Sequence, residues 1–287
     1  MNRTFSITGA VQFGWDKLIK NILPFLVMYG IMMGVSGVIS VADMIAGFVC
    51  IVPALAVPGI VLRIIINLIS FAASMLMAAG MIKVTIKVYN NEKFEIIDCV
   101  KEMYLNYKLL PNLILASLVY IAFSLILALL FLVLLSATML APYFTTDTAS
   151  WFGLKTMFAA LPGDIGLIVA LVGTGLLYLC VNVFIGARIA FYTYFILDKN
   201  AGPLDCYKKS FELTTDNFWR IIGFWFVLGG VFLAGLLICC IGVVAAAPIM
   251  LLAQVYAYKK LLGEEPANPE EAVPAAPAPV QPPPQMQ

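Results

Sequence analysis

The chain has 287 residues, of which 62% are hydrophobic and only 11% charged, against roughly 25% charged in an ordinary soluble domain. So few charges cannot cover a water-facing surface, which excludes a soluble globular fold and points to a membrane protein. The 17 Lys and Arg against 16 Asp and Glu leave a formal net charge of +1, no field to steer nucleic acid, and the absence of His excludes imidazole catalysis and His metal ligation.

A hydrocarbon core about 30 Å thick takes roughly 20 residues of apolar helix, so spans are sought in the gaps between charges. Residues 21–82 carry only Asp43 and Arg63 and hold either two longer helices, joined through Asp43, Pro53 and Pro58, or three short ones. Residues 109–146 are apolar up to Ser136 and then mixed, with Pro142, Thr145, Thr146 and Asp147. One span fits there, followed by an outer loop in which Trp151, Phe152, Lys155 and Phe158 read as an interfacial segment. Residues 165–187 form a fourth apolar segment. The uncharged run 221–258, about 57 Å as a single helix, must fold back once, and the turn is expected within 240–246, around Gly242.

Charge asymmetry settles the count. With six spans, every basic residue except Arg63 and Lys155 falls on one side, whereas a third span within 21–82 would split the positive charge between the two faces. The expected fold class is all-α: a polytopic membrane protein of six transmembrane helices arranged as three hairpins, each preceded by an amphipathic in-plane helix. Residues 1–262 form the integral membrane domain, and residues 263–287, with half of all the prolines, form a disordered Pro-rich cytoplasmic tail. Both termini are expected to be cytoplasmic, in a bacterial plasma membrane. The tripeptide Ala54-Leu55-Ala56 resembles a signal cleavage site, but the apolar run before it is too long and contains Asp43, so cleavage is not expected.

Three segments share a plan of amphipathic stretch, polar knot and hydrophobic hairpin: 10–28, 97–116 and 204–224. The apolar faces are Ile7, Val11, Trp15 and Leu18 in the first, Ile97, Val100, Tyr104 and Tyr107 in the second, and Leu204, Tyr207 and Phe211 in the third. The six cysteines show no C-x-x-C spacing; Cys50, Cys180, Cys239 and Cys240 lie in apolar runs and read as small hydrophobes. No disulfide framework, metal or cofactor is expected.

An ionisable group inside a span merits a functional hypothesis. Arg188, inside the fourth apolar segment with Asn182 six residues before it and apolar residues 189–197 after it, reads either as a headgroup anchor or as a fork for a lipid phosphate. Asn67, Asn182 and Gln254 either bridge helices or line a polar cavity together with Arg188. Arg63, near the opposite face, reads as a headgroup anchor.

The run "RIAFYTYFILDKNAGPLDCYKKSFELTTDN" at 188–217, followed by Phe218-Trp219-Arg220, resembles the membrane domain associated with glycerophosphodiester phosphodiesterases and the related stand-alone bacterial membrane proteins. "FGWDKLIKNILPFL" at 13–26 and "APIMLLAQVYAYKKL" at 247–261 fit the same pattern. The resemblance spans roughly residues 5–262 and implies membrane architecture. It does not transfer enzyme activity, because in those enzymes hydrolysis resides in a separate barrel that uses His and metal-binding carboxylates. The expectation is a non-enzymatic integral membrane protein that organises lipids, anionic phospholipid among them, or a partner complex at the cytoplasmic face. The Pro-rich tail is a candidate docking segment for a cytoplasmic protein. The alternative is a transporter or permease for a lipid or amphiphile.

Overall fold

The computed structural model describes residues 4–51, 55–92, 101–102, 106–140, 163–237 and 240–265. The outer loop with Trp151, Phe152, Lys155 and Phe158, residues 97–100 and 103–105 of the second repeat segment, and the Pro-rich segment from residue 266 onward lie outside them. The described residues are helical, with no strand among them.

The chain divides into two compact units, one formed by residues 1–107 and 225–287 and the other by residues 108–224. The first opens with α1, Ile7–Lys20. Ser6 caps it: its backbone is extended and its Oγ accepts from the Gly9 N–H at 3.2 Å, satisfying one of the orphan donors of the first turn. Lys17 and Lys20 occupy the last turn, where the helix dipole favours cations. Asn21 then breaks the chain, its Nδ2 donating to the Lys17 carbonyl at 2.9 Å. Two long helices follow, α2 (Ile22–Ile51) and α3 (Ala56–Tyr89), packed along one another. The region 21–82 thus holds two helices.

The buried core of this unit lies at one end, where Leu18, Phe25, Met28, Met77, Met81, Val84 and Val88 meet Ile249 and Leu252. Farther along, Met33, Val38, Val41, Phe48 and Ile51 of α2 and Ile60, Ile64 and Leu68 of α3 are exposed. In water such a contiguous apolar surface would drive association; on helices of this length it is the surface that a bilayer covers.

The second unit contains α4 (Leu110–Leu140), α5 (Gly163–Arg188), α6 (Tyr192–Lys199) and α7 (Asp205–Thr215). A 3-10 turn, Asn106–Leu109, leads into α4, and Pro111 sits in the first turn, where its missing N–H breaks no helical hydrogen bond. Phe131 and Tyr178 join α4 to α5 with ring centroids 4.4 Å apart. The rings of Tyr120, Tyr192 and Tyr207 follow one another at 6.5 and 5.0 Å, and the Tyr207 hydroxyl donates to the Ala116 carbonyl at 2.6 Å, tying α7 to α4. α6 ends at Asn200 in the left-handed conformation, a common helix stop.

Helix α8, Phe218–Leu237, begins in the second unit and continues from Trp225 in the first. The final helix, α9, is Cys240–Leu262. Residues 240–246, the expected position of the fold-back, are therefore helical and belong to α9. Gly242 lies within α9, and a side chain there would run into the Gly235 carbonyl, so this glycine serves close helix approach. α9 stops at Gly263 with φ 79°, where the Gly263 and Glu264 N–H groups donate to the Lys260 and Lys259 carbonyls.

Among the described residues, five helical stretches are long and apolar enough to cross a membrane: Ile22–Ile51, Val57–Tyr89, Leu110–Ser136, Leu171–Lys199 and Phe218–Leu237. These are the helices of a multi-pass membrane protein. α9, with Pro248, Lys259 and Lys260, is not among the five.

α1 packs through Ala10, Gly14 and Leu18 and leaves Trp15 and Ile19 exposed; α7 packs through Cys206, Ser210 and Thr214 and leaves Leu204 and Phe211 exposed. The small residues Ala10 and Gly14 on α1, and Cys206, Ser210 and Thr214 on α7, allow backbones to approach closely.

Candidate functional site

Arg188 is the last residue of α5, where a cation meets the negative end of the helix dipole. Phe184 lies four residues earlier on the same helix face, and the elements that follow supply two more rings. The guanidinium carbon sits 5.4 Å from the Phe184 ring centroid, 4.7 Å from that of Phe211 on α7 and 4.8 Å from that of Phe218 at the start of α8. Phe184 and Phe218 also touch one another, with centroids 5.1 Å apart.

Helix α7 is held against this arginine by its polar stripe. Ser210 Oγ donates to the Arg188 carbonyl at 3.0 Å and Thr214 Oγ1 donates to it at 3.2 Å, while Ser210 Oγ accepts from the Phe191 N–H at 3.1 Å. The orphan carbonyl at the end of α5 is thereby satisfied and Phe211 is fixed over the guanidinium. The arginine's own donors are not satisfied: Nε and Nη1 are buried without a hydrogen-bond partner. Aromatic faces attract the cation by about 0.5–2 kcal/mol each, but a ring offers no lone pair, and a buried unsatisfied donor costs about 1–3 kcal/mol, more for a charged group. An anionic oxygen would supply the acceptors these donors lack.

The other predicted residues are distributed differently. Asn182 Nδ2 donates to the Tyr178 carbonyl at 2.8 Å, a bond back to its own helix. Gln254 is half-buried on α9, in the unit that also holds Asn67. Asn67 joins a cluster the sequence did not disclose: Asp43 accepts from Arg63 Nε at 3.0 Å and Nη2 at 3.2 Å, and Asn67 Nδ2 lies 3.4 Å from Asp43 Oδ1 while donating to the Arg63 carbonyl at 2.8 Å. The available signal was a lone acid and a lone base on adjacent apolar helices.

At the basic end of the first unit, Lys17, Lys20, Asn21, Val88, Asn91 and Glu92 line a concavity of about 240 Å³. The Lys17 ammonium donates to Asn91 Oδ1 and lies 5.7 Å from the Phe13 ring centroid. Burial, and then repulsion from Lys20, lowers its pKa below the usual lysine value. An anion in this concavity would oppose both effects. No group of His, Cys, Asp and Glu with metal-binding spacing occurs among the described residues.

No family model matches the chain, and no solved structure matches it significantly. The chain is similar to uncharacterised proteins of Mycobacterium bovis and Mycobacterium tuberculosis, at 30% identity over 89 residues in each case. That stretch is 31% of this chain and 27% of the mycobacterial proteins, so the chain spans about a quarter of the length of the curated relatives it matches.

Proposed function

We propose that this chain is a non-enzymatic integral membrane protein that organises anionic phospholipid at the cytoplasmic face of a bacterial plasma membrane. The observation that carries this reading is Arg188, whose Nε and Nη1 are buried and unpaired inside a cage of three phenylalanines. A headgroup phosphate supplies the acceptors that the protein does not. The Lys17 and Lys20 concavity supports the same chemistry in the other unit.

In this reading six spans form three hairpins, α9 supplies the sixth, and both termini are cytoplasmic. α1 and α7 lie in the plane of the headgroups, each with its small-residue stripe against protein and its bulky apolar residues in lipid. The distribution of basic residues supports that orientation. The likeness of 13–26, 188–220 and 247–261 to the membrane domain of glycerophosphodiester phosphodiesterases supports the same architecture. The Pro-rich tail would serve as a docking segment for a cytoplasmic protein. A permease for an amphiphile would need Asn67, Asn182, Arg188 and Gln254 around one path. The back-bond of Asn182 to its own helix and the engagement of Asn67 with Asp43 favour the lipid-organising reading.

Native mass spectrometry of the full chain in mild detergent tests the proposal. A stoichiometric anionic phospholipid should be bound to the wild type, lost in Arg188→Ala and weakened in Arg188→Lys, which keeps the charge but not the planar fork. Equal lipid occupancy in all three proteins would refute it.

A further inference from the structure

The Asp43, Arg63 and Asn67 cluster lies in an unusual place. Between Lys20 and Lys83, Asp43 and Arg63 are the only two charged residues, and the sequence around them is mostly apolar. Twenty residues separate Arg63 from Lys83 on α3, about 30 Å of helix and one hydrocarbon thickness. With Lys83 at the basic boundary, Arg63 stands at the opposite one. The pair is not sealed in the α2/α3 seam: the side chains are 54% and 32% exposed for Arg63 and Asp43 respectively.

The cluster also has capacity to spare. A guanidinium has five N–H groups, and Asp43 uses one on Nε and one on Nη2, so three point elsewhere. Asp43 keeps an acceptor site beyond the three contacts from Arg63 and Asn67. Beside it runs a groove of about 490 Å³ lined by Cys50, Ile60, Arg63, Ile64, Asn67 and Leu68. Ile60, Ile64 and Leu68 form one stripe at i, i+4 and i+8, and Arg63 with Asn67 forms the next, so an apolar track lies alongside a polar pair.

We propose that this cluster is a headgroup site for a zwitterionic phospholipid bearing a primary ammonium, in the leaflet opposite the basic face. The phosphate meets the free N–H edge of Arg63, the ammonium meets Asp43, and an acyl chain lies along Ile60, Ile64 and Leu68. Charge complementarity selects this occupant: the pair is neutral overall but presents both signs, so a purely anionic headgroup is repelled by Asp43 and a cationic one by Arg63. A primary ammonium fits better than a quaternary one because Asp43 accepts hydrogen bonds. The placement rests on the membrane spans proposed above, while the lipid differs in class and leaflet from that assigned to Arg188.

The test is native mass spectrometry of the full chain offered equal amounts of phosphatidylethanolamine and phosphatidylglycerol with matched acyl chains. Arg63→Gln should reduce the phosphatidylethanolamine adduct about tenfold, the loss of one charge-assisted hydrogen bond. Asp43→Asn should shift the remaining preference toward phosphatidylglycerol by a similar factor, since it leaves Arg63 unneutralised. Arg188→Ala should leave the phosphatidylethanolamine adduct intact, which separates failure here from failure of the inner-face reading. Should a lone charge prevent folding, the double variant Asp43→Asn/Arg63→Gln carries none and should lack the adduct. Unchanged binding in these variants would overturn the proposal. So would displacement of the lipid by an equal concentration of glycerophosphoethanolamine, because the groove would then contribute nothing.

Discussion

Replacing Gly14 with Ala probes the seam between the first and last helices. A Cβ at this position would lie 2.7 Å from the Ile249 carbonyl oxygen and 3.3 Å from its Cγ2. The nearest atom is backbone, so α1 must move away from α9 rather than let a side chain rotate. Overpacking of this kind costs about 1–3 kcal/mol, while Ala in place of Gly within a helix returns about 0.5–1 kcal/mol. The expected net loss is about 0–2.5 kcal/mol, which at about 2–4 °C per kcal/mol lowers the melting temperature by up to about 10 °C. Gly34 on α2 provides the control, since nothing lies within 4 Å of its added Cβ. There the helix preference acts alone, and Gly34→Ala should raise the melting temperature by about 1–4 °C. Thermal unfolding in mild detergent, followed by tryptophan fluorescence, compares the two. If Gly14→Ala melts at or above Gly34→Ala, the close approach of α1 and α9 is refuted.

Tyr207→Phe keeps the tyrosine stack but removes the bond to the Ala116 carbonyl, and should cost about 0.5–1.5 kcal/mol in the same melt. Cys206 is buried and its thiol is pushed up to about 11 by desolvation, so peptide-mapped iodoacetamide labelling at pH 8 should leave it unmodified in the folded protein and modify it once the chain is unfolded. Because the unfolded thiol ionises near 9 and the folded one near 11, this group should lower stability as pH rises between those values, a loss that Cys206→Ser should lessen. Glu264→Gln weakens the 2.6 Å contact with the buried Lys259 ammonium and should destabilise the chain by about 1–2 kcal/mol, checked by denaturant titration in detergent.

The long helices were readable from the chain because charges are costly in hydrocarbon, so their spacing marks where helices enter and leave it. The packing faces were not. Hydrophobic periodicity picked out the apolar faces with Trp15 on α1 and with Leu204 and Phe211 on α7, which an in-plane helix turns to lipid, but not the faces that pack on protein. Bulky apolar side chains in lipid gain nothing by burial in protein, and Gly14, Ser210 and Thr214, which permit close contact, take the packed positions. Arg188 stood out by its isolation; Phe184 was missed although its i−4 spacing puts it on the same helix face, and Phe211 and Phe218 join the cage only through the reversals of α6 and α7. Asp43 and Arg63 meet across two helices, a pairing that neither helix encodes alone.

The pairing of α1 with α9 bears on how the chain is made. Gly14 meets Ile249, so the partner of α1 leaves the ribosome roughly ten to fifty seconds after it, at about 5–20 residues per second. The helices of residues 108–224 can pair with one another during that interval. Through that interval α1 must wait with its glycine face uncovered, adsorbed through Trp15 and Ile19 or held by an assembly factor. A nascent chain stalled before α9 should therefore be protease-sensitive around Gly14, and should become resistant once α9 is released.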